Sequence, residues 1–400
     1  MVHHRAALLA AGVLAVLTAC SGPGDSPPVD GTTVQPPQVE ADASEGSVSA
    51  LEDRFDPRLP EPLIAPDLVQ SGGPPPDGIP PIDAPTFESA DTITWLEPDE
   101  PVLSLTVGDE TRAYPLRVMT WHEIVNDTVA GTPVAVTYCP LCNSGVTFLR
   151  ELDSRVLSFG TSGMLYADNL VMYDRQTESL WPQLTGRASI GVLTGEKLES
   201  IPMGTVAWGE FREAHPTALV LSQDTGFDRP YGSNPYVGYD DPNGDLLFGV
   251  PGDLDERLPV KERVIGLSEG SDAVAVVRGA LAGRQPVEVV VGDLPVVLWH
   301  RAGQASALDT SSIAEGEDIG TVGVFDPVLD GRHLHFGSRG KAFVDQETGT
   351  RWDVLGRAVA GPLKGAQLTP VEHLDTFWFA WVTFHPDTEL IDPDVHGDER

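Results

Sequence analysis

The chain has 400 residues and a formal net charge of −35, from 60 acidic against 25 basic residues. The acidic residues are spread along the chain and Lys and Arg are not clustered, which argues against nucleic acid or anionic lipid as a partner, because phosphate binding needs a concentrated basic surface. The charge fits a heavily solvated protein that lives in salt or attracts cations.

In chain order, His3, His4 and Arg5 form a polar start and Ala6 to Val16 an apolar stretch. That stretch, about eleven residues, is too short to span a bilayer, and no later segment approaches roughly twenty. Leu17-Thr18-Ala19-Cys20 resembles a bacterial lipobox. Residues 1–20 are therefore expected to be a lipoprotein signal peptide, cleaved before Cys20, whose sulfur takes a lipid. The expected location is the cell membrane, lipid-anchored, facing the extracytoplasmic side. Residues 21–90 are rich in Pro, Gly, Ser and acidic residues, a composition that buries too little apolar surface to offset its ordering entropy. They read as a disordered tether, with apolar islands near Phe55 and Leu63 that could lie along the domain surface.

The rest reads as mainly β with short helices, in two similar lobes: 91–222, a connector 223–262 and 263–392, followed by a tail 393–400. Val102–Gly108 aligns with Val264–Gly270, and Pro133-Val134 with Pro295-Val296. Phe159-Gly-Thr-Ser-Gly163 aligns with Phe336-Gly-Ser-Arg-Gly340. Asp174, Thr177, Trp181, Gly186, Trp208, His215 and Pro216 find Asp345, Thr348, Trp352, Gly356, Trp378, His385 and Pro386. This self-match predicts a duplicated unit of about 130 residues. Short Val-, Thr- and aromatic-rich runs punctuated by Gly-Asp and Gly-Thr predict hairpins at 103–114 and 128–138. Helices are predicted over Val206–His215 and Val371–Phe379.

What both lobes hold reads as fold: Trp181 and Trp352 as core aromatics, the Asp-x-x-Thr pairs as side-chain-capped turns, and His215 as a helix end. What only the first lobe holds is a candidate for function. That set contains Trp121-His122-Glu123, Cys139-Pro-Leu-Cys142 and Met164 to Asn169. Opposite Cys139 and Cys142 stand Arg301 and Gln304; opposite His122 stands Arg284.

With Cys20 lipidated, Cys139 and Cys142 are the thiols left for site chemistry. Val134 to Phe148 reads as a strand, a Cys-Pro-Leu-Cys turn and a second strand, which points both sulfurs to one side. Three readings stay open. The first is a metal knuckle for a soft ion, Cu or Zn, with His122 the foremost third ligand and Glu123, Met164, Met172 or Asp174 as further candidates. The second is a thiol–disulfide or other oxidoreductase centre, although the helix N-terminus that lowers a thiol pKa is missing from the pattern. The third is an inert disulfide in a structural interaction module. Arg175 could clamp an anion or sit in a salt bridge.

The chain resembles the bacterial domain of unknown function 3179. The stretches that carry the resemblance are Trp121-His-Glu-Ile-Val-Asn-Asp127, Thr137-Tyr-Cys-Pro-Leu-Cys142, Phe159-Gly-Thr-Ser-Gly163, Leu170-Val-Met-Tyr-Asp-Arg175 and Ser179-Leu-Trp-Pro-Gln183. It covers about residues 90–390. Asn143 departs from the Gly often found after the second Cys, and Asn can take the same left-handed backbone. The family implies a domain and a set of sites, and no activity.

Overall fold

A computed structural model describes residues 48–392 except residue 341. Residues 1–20, where a signal peptide ending before Cys20 is expected, residues 21–47 and the tail 393–400 lie outside the described residues. The described part is mainly β, with α-helices at Leu116–His122 (α1), Trp208–Ala214 (α2) and Trp378–Phe384 (α3). No helix among the described residues is long and apolar enough to cross a membrane.

Among the described residues the first half holds three open sheets of four or five strands and a two-stranded ribbon, Glu151–Leu152 with Arg155–Val156. In the first, Met203–Ala207, Pro101–Val107, Glu110–Pro115, Leu219–Leu221 and Phe87–Ser89 lie side by side in that order. The second runs Ser200–Ile201, Ser144–Leu149, Thr132–Cys139, Ile124–Val129, and the third Gln70–Ser71, Phe159–Tyr166, Asn169–Asp174, Leu180–Pro182. The strand Thr132–Cys139 is covered on both faces from Val134 onward, which is why its sequence is a nearly unbroken run of Val, Ala, Thr and Tyr.

Corresponding orders recur in the second half. Leu374–Phe377, Arg263–Glu269, Asp272–Val277 and Glu389–Ile391 form one sheet. Val287–Val291, Leu294–Arg301 and Thr321–Phe325 form the next, and Phe336–Arg339, Ala342–Asp345, Arg351–Trp352 and Ala358–Ala360 the last. In both halves the closing strand after a short helix joins its sheet in parallel, Leu219–Leu221 beside Glu110–Pro115 and Glu389–Ile391 beside Asp272–Val277. The halves are not separate bodies: all described residues belong to one compact unit. The Ala207 amide donates to Thr321 Oγ1 at 3.0 Å, and the Thr376 hydroxyl donates to the Cys142 carbonyl at 2.7 Å.

Both predicted hairpins form, Pro101–Val107 with Glu110–Pro115 and Ile124–Val129 with Thr132–Cys139. The Asp-x-x-Thr turns of both halves form as well. Asp174 accepts from the Thr177 amide and hydroxyl and, at 3.0 Å, from the indole N–H of buried Trp181. Asp345 does the same for Thr348 and, at 2.9 Å, for Trp352. His215 and His385 each cap a helix C-terminus, with φ/ψ of −132°/64° and −133°/65°.

Three expectations change. The helix expected over Val371–Phe379 begins at Trp378, because Leu374–Phe377 pair with Arg263–Gly266 as a strand. Helix α1 had no predicted counterpart: one apolar turn or two after Pro115 carries too little period to separate helix from strand. The tether corrects most. Over residues 48–90 the chain is laid along the domain: Gln70–Ser71 pairs with Met164–Leu165, Phe87–Ser89 with Leu219–Leu221, and Ile82 bridges Val125. Its prolines keep it extended without needing a core of its own. Phe55 and Leu63 remain exposed.

Candidate functional site

Thr132–Cys139 runs into a single 3-10 turn, Pro140–Cys142, and the chain returns as Ser144–Leu149. The reversal needs a left-handed residue, and Asn143 supplies it at φ 51°, ψ 40°. Tyr138 OH donates to the Asn143 side chain at 3.2 Å. Cys139 and Cys142 are free thiols, both buried.

Both sulfurs sit among donors. The Leu170 amide points at Cys139 Sγ at 3.4 Å, and Asn169 Nδ2 donates to Cys142 Sγ at 3.1 Å. Ser144 Oγ lies 3.0 Å from Cys142 Sγ and 3.2 Å from Gln183 Oε1. Gln183 ties the cluster together, accepting from Asn169 at 2.9 Å and donating to Thr137 Oγ1 at 3.0 Å and the Ser144 carbonyl at 3.2 Å. Asn169, Gln183, Ser144 and Thr137 are fully buried. With neutral thiols the network closes if Cys142 donates to Ser144 and Ser144 to Gln183. With an anionic sulfur the Ser144 hydroxyl can turn to donate to it. Burial pushes the Cys139 thiol well above its ordinary value, and the neighbouring Cys142 adds to this.

His122 is placed elsewhere. It ends α1, fully buried, and both ring nitrogens are bonded: Nδ1 to the Pro80 carbonyl at 2.7 Å and Nε2 to Tyr231 OH at 2.6 Å. A carbonyl can only accept, so Nδ1 carries the hydrogen and Nε2 accepts from Tyr231. Burial lowers its pKa, which suits this neutral ring. Among the described residues, no set of three His, Cys, Asp or Glu donor atoms within 4.8 Å of one another includes either cysteine. His122 is therefore a joint between α1, the 80s segment and the connector.

The supporting candidates disperse in the same way. Met172 is core. Asp174 is occupied by its turn and Trp181, and Arg175 pairs with Asp83 at 2.8 Å and Asp77 at 3.2 Å. Met164 lines a cavity of about 320 Å³ together with Leu141, Leu170, Tyr236, Phe248 and Glu123. This volume is at the lower end of small-molecule pockets. Glu123 is the ionisable side chain of that wall closest in sequence to α1, and it sits in an uncommon backbone state, φ 59°, ψ −31°. Burial raises its carboxyl well above the usual range, and Cys139 adds to the shift. The cavity thus backs onto the cysteine turn through Leu141 and Leu170.

The family model described as "Protein of unknown function (DUF3179)" matches residues 76–388. The chain belongs to this family. No curated protein and no solved structure matches it. The DUF3179 match begins inside the segment 48–90, in agreement with its being part of the folded body.

Within this DUF3179 chain, several residues escaped sequence reasoning. Asn126 bonds both the amide and the carbonyl of Phe159, and Asp127 holds Arg112 at 2.6 Å and Tyr114 OH at 2.6 Å, so the end of the Trp121–Asp127 motif is scaffold. Asn169 and Gln183 contact the sulfurs or their partners; the presence of Asn169 in a segment unique to the first half was the available signal. Asp168 accepts from Tyr239 OH at 2.8 Å, and Tyr239 in turn lies under Lys261, 4.1 Å from its ring centre. Only the fold brings these three together.

Proposed function

We propose that this protein is an extracytoplasmic, membrane-anchored lipoprotein that holds a soft metal ion between Cys139 and Cys142, and that the ion is Cu(I). The observation that carries this reading is a pair of free thiols on one knuckle whose sulfurs meet the Leu170 amide, the Asn169 amide group and the Ser144 hydroxyl. N–H donors stabilise metal-bound thiolates. Thiolates select soft ions, and a structural Zn²⁺ wants four donors where this knuckle gathers two. Cu(I) is content with two thiolates in line. The protein's part is to deliver both sulfurs pre-positioned and to keep water away.

Copper analysis under reducing conditions, with a Cu(I) chelator as competitor, tests the reading. One Cu(I) per chain is expected, lost in Cys139→Ser with Cys142→Ser; no copper retained by the natural chain would sink it. Asn169→Ala should weaken Cu(I) by about 10- to 100-fold, as loss of an outer partner to a metal ligand does. Anchoring is tested separately, since Cys20→Ser should move the protein from the membrane to the soluble fraction.

A second reading is favoured by the cavity behind the turn: a dithiol that works on a small exported substrate. It predicts a reversible two-electron couple near the compartment's poise. A Cys139–Cys142 pair that resists both oxidant and reductant leaves the inert structural role instead. We further propose that the two halves descend from one duplicated unit, a reading supported by their matching strand orders and Asp–Thr–Trp turns.

A further inference from the structure

We propose a second metal site, independent of the cysteines, in which His333, His335 and Glu288 bind a borderline divalent transition-metal ion and Glu347 positions His335. One donor atom from each of Glu288, His333 and His335 lies within 4.8 Å of the other two. His333 and His335 flank Leu334, which is buried, so the alternation of extended chain sends both imidazoles outward together. Their ring centres are 4.8 Å apart. Glu288 comes from the neighbouring strand Val287–Val291, and its Oε2 is 3.1 Å from His333 Nε2.

Glu347 grips His335 twice, accepting from its backbone amide at 3.0 Å and from ring Nδ1 at 2.7 Å. A carboxylate on Nδ1–H leaves Nε2 with the lone pair, the arrangement that orients histidines bound to metals. The backbone beneath is fixed, with the Leu334 amide on the Pro327 carbonyl at 3.0 Å and the Gln346 amide on the His335 carbonyl at 2.8 Å. Two imidazoles and a carboxylate suit Zn²⁺, Ni²⁺ or Cu²⁺ over Ca²⁺ or Mg²⁺, and two glutamates beside neutral rings supply charge to match a dication.

An acidic surface makes chance His–Glu pairs common, and the first half provides the control. There the same backbone recurs: the Ser158 amide donates to Gln176 Oε1 at 2.9 Å, and the Arg175 amide to the Ser158 carbonyl at 2.9 Å. Strand register sets Asn126 against Glu288, Val156 against His333 and Ser158 against His335. Gln176 fills the place of Glu347. The shared backbone stands without metal-binding side chains in the first half, so folding does not require them in the second.

The test is a calorimetric titration of the full chain, without a polyhistidine tag, with Zn²⁺ alone. His333→Ala with His335→Ala should remove one Zn²⁺ per chain, and Glu347→Gln alone should weaken that site by about 10- to 100-fold. These side chains are at the surface, so circular dichroism should stay unchanged. An unaltered stoichiometry in the double variant, or no saturable Zn²⁺ binding to the natural chain, overturns the proposal.

Discussion

At matching points of the two halves, the strands Thr132–Cys139 and Leu294–Arg301 each form an inner strand of a sheet. The first ends on Cys139 and turns at once through Cys142. The second ends on Arg301, which pairs with Glu210 at 3.1 Å, and wanders on to Gln304, whose side chain accepts from Thr321 at 3.0 Å. Where the first half places thiols, the second places Arg301, which ties the halves together, and Gln304, which holds Thr321. The difference separates two kinds of constraint: what both halves hold maintains the sheets, and what one holds is free to do chemistry.

The sharpest way to break this comparison is to attack what is shared. Trp181→Ala and Trp352→Ala each remove a fully buried indole whose N–H is held by the turn aspartate, and each should cost roughly 3 to 5 kcal/mol. Such a loss is a large part of a typical domain's stability. Asp174→Asn and Asp345→Asn provide milder versions in case the first pair does not fold. Urea denaturation should give similar losses in the two halves. If one costs a small fraction of the other, the paired turns do not do the same work.

A first-half feature without a counterpart is Asp168, in the segment Met164–Asn169. Burial raises its carboxyl to about 7, and the Tyr239 hydroxyl and the Lys261 charge, which pull it down, do not overcome this. Its unfolded value is near 3.9, so between the two the folded state binds the extra proton. Stability should therefore be highest at the acid end of that window and fall as pH rises through it, by up to roughly 1.4 kcal/mol per pH unit. Asp168→Asn should flatten the slope measured by urea midpoints between about pH 5 and pH 7. Parallel slopes for the two proteins would mean that Asp168 is ionised in the folded state and is stabilised by groups other than those named.

Sequence was enough for the strands, the hairpins, the cysteine turn with its left-handed Asn143, and the Asp–Thr–Trp turns, because each is written in local pattern. It misled wherever the deciding partner is distant. His122 was a ligand candidate because the second lobe has Arg284 in its place, yet Pro80 and Tyr231, from segments read as tether and connector, claim both its nitrogens. Residues 48–90 looked too polar to order themselves, and they are ordered by edges that other strands offer. Asn169 and Leu170, which donate to Cys142 and Cys139, open a strand of a different sheet from the one that carries the cysteine turn, so spacing along the chain carries no information.

The smallest effect sharpens the comparison most, because it asks whether the second half serves the first half's site. Thr376 lies on Leu374–Phe377, and its hydroxyl ties the second half to the cysteine turn by a hydrogen bond to the Cys142 carbonyl. Thr376→Val keeps the shape and removes the donor, leaving a buried carbonyl short of a partner, at a cost of about 1 to 2 kcal/mol. If that bond holds the turn in its metal-binding form, Cu(I) affinity should drop by up to about tenfold, the equivalent of roughly 1.4 kcal/mol. If stability falls and Cu(I) affinity does not, the turn is positioned from within the first half by Asn143, Asn169 and Gln183. The second half would then be a buttress for the fold, with chemistry of its own at His333 and His335.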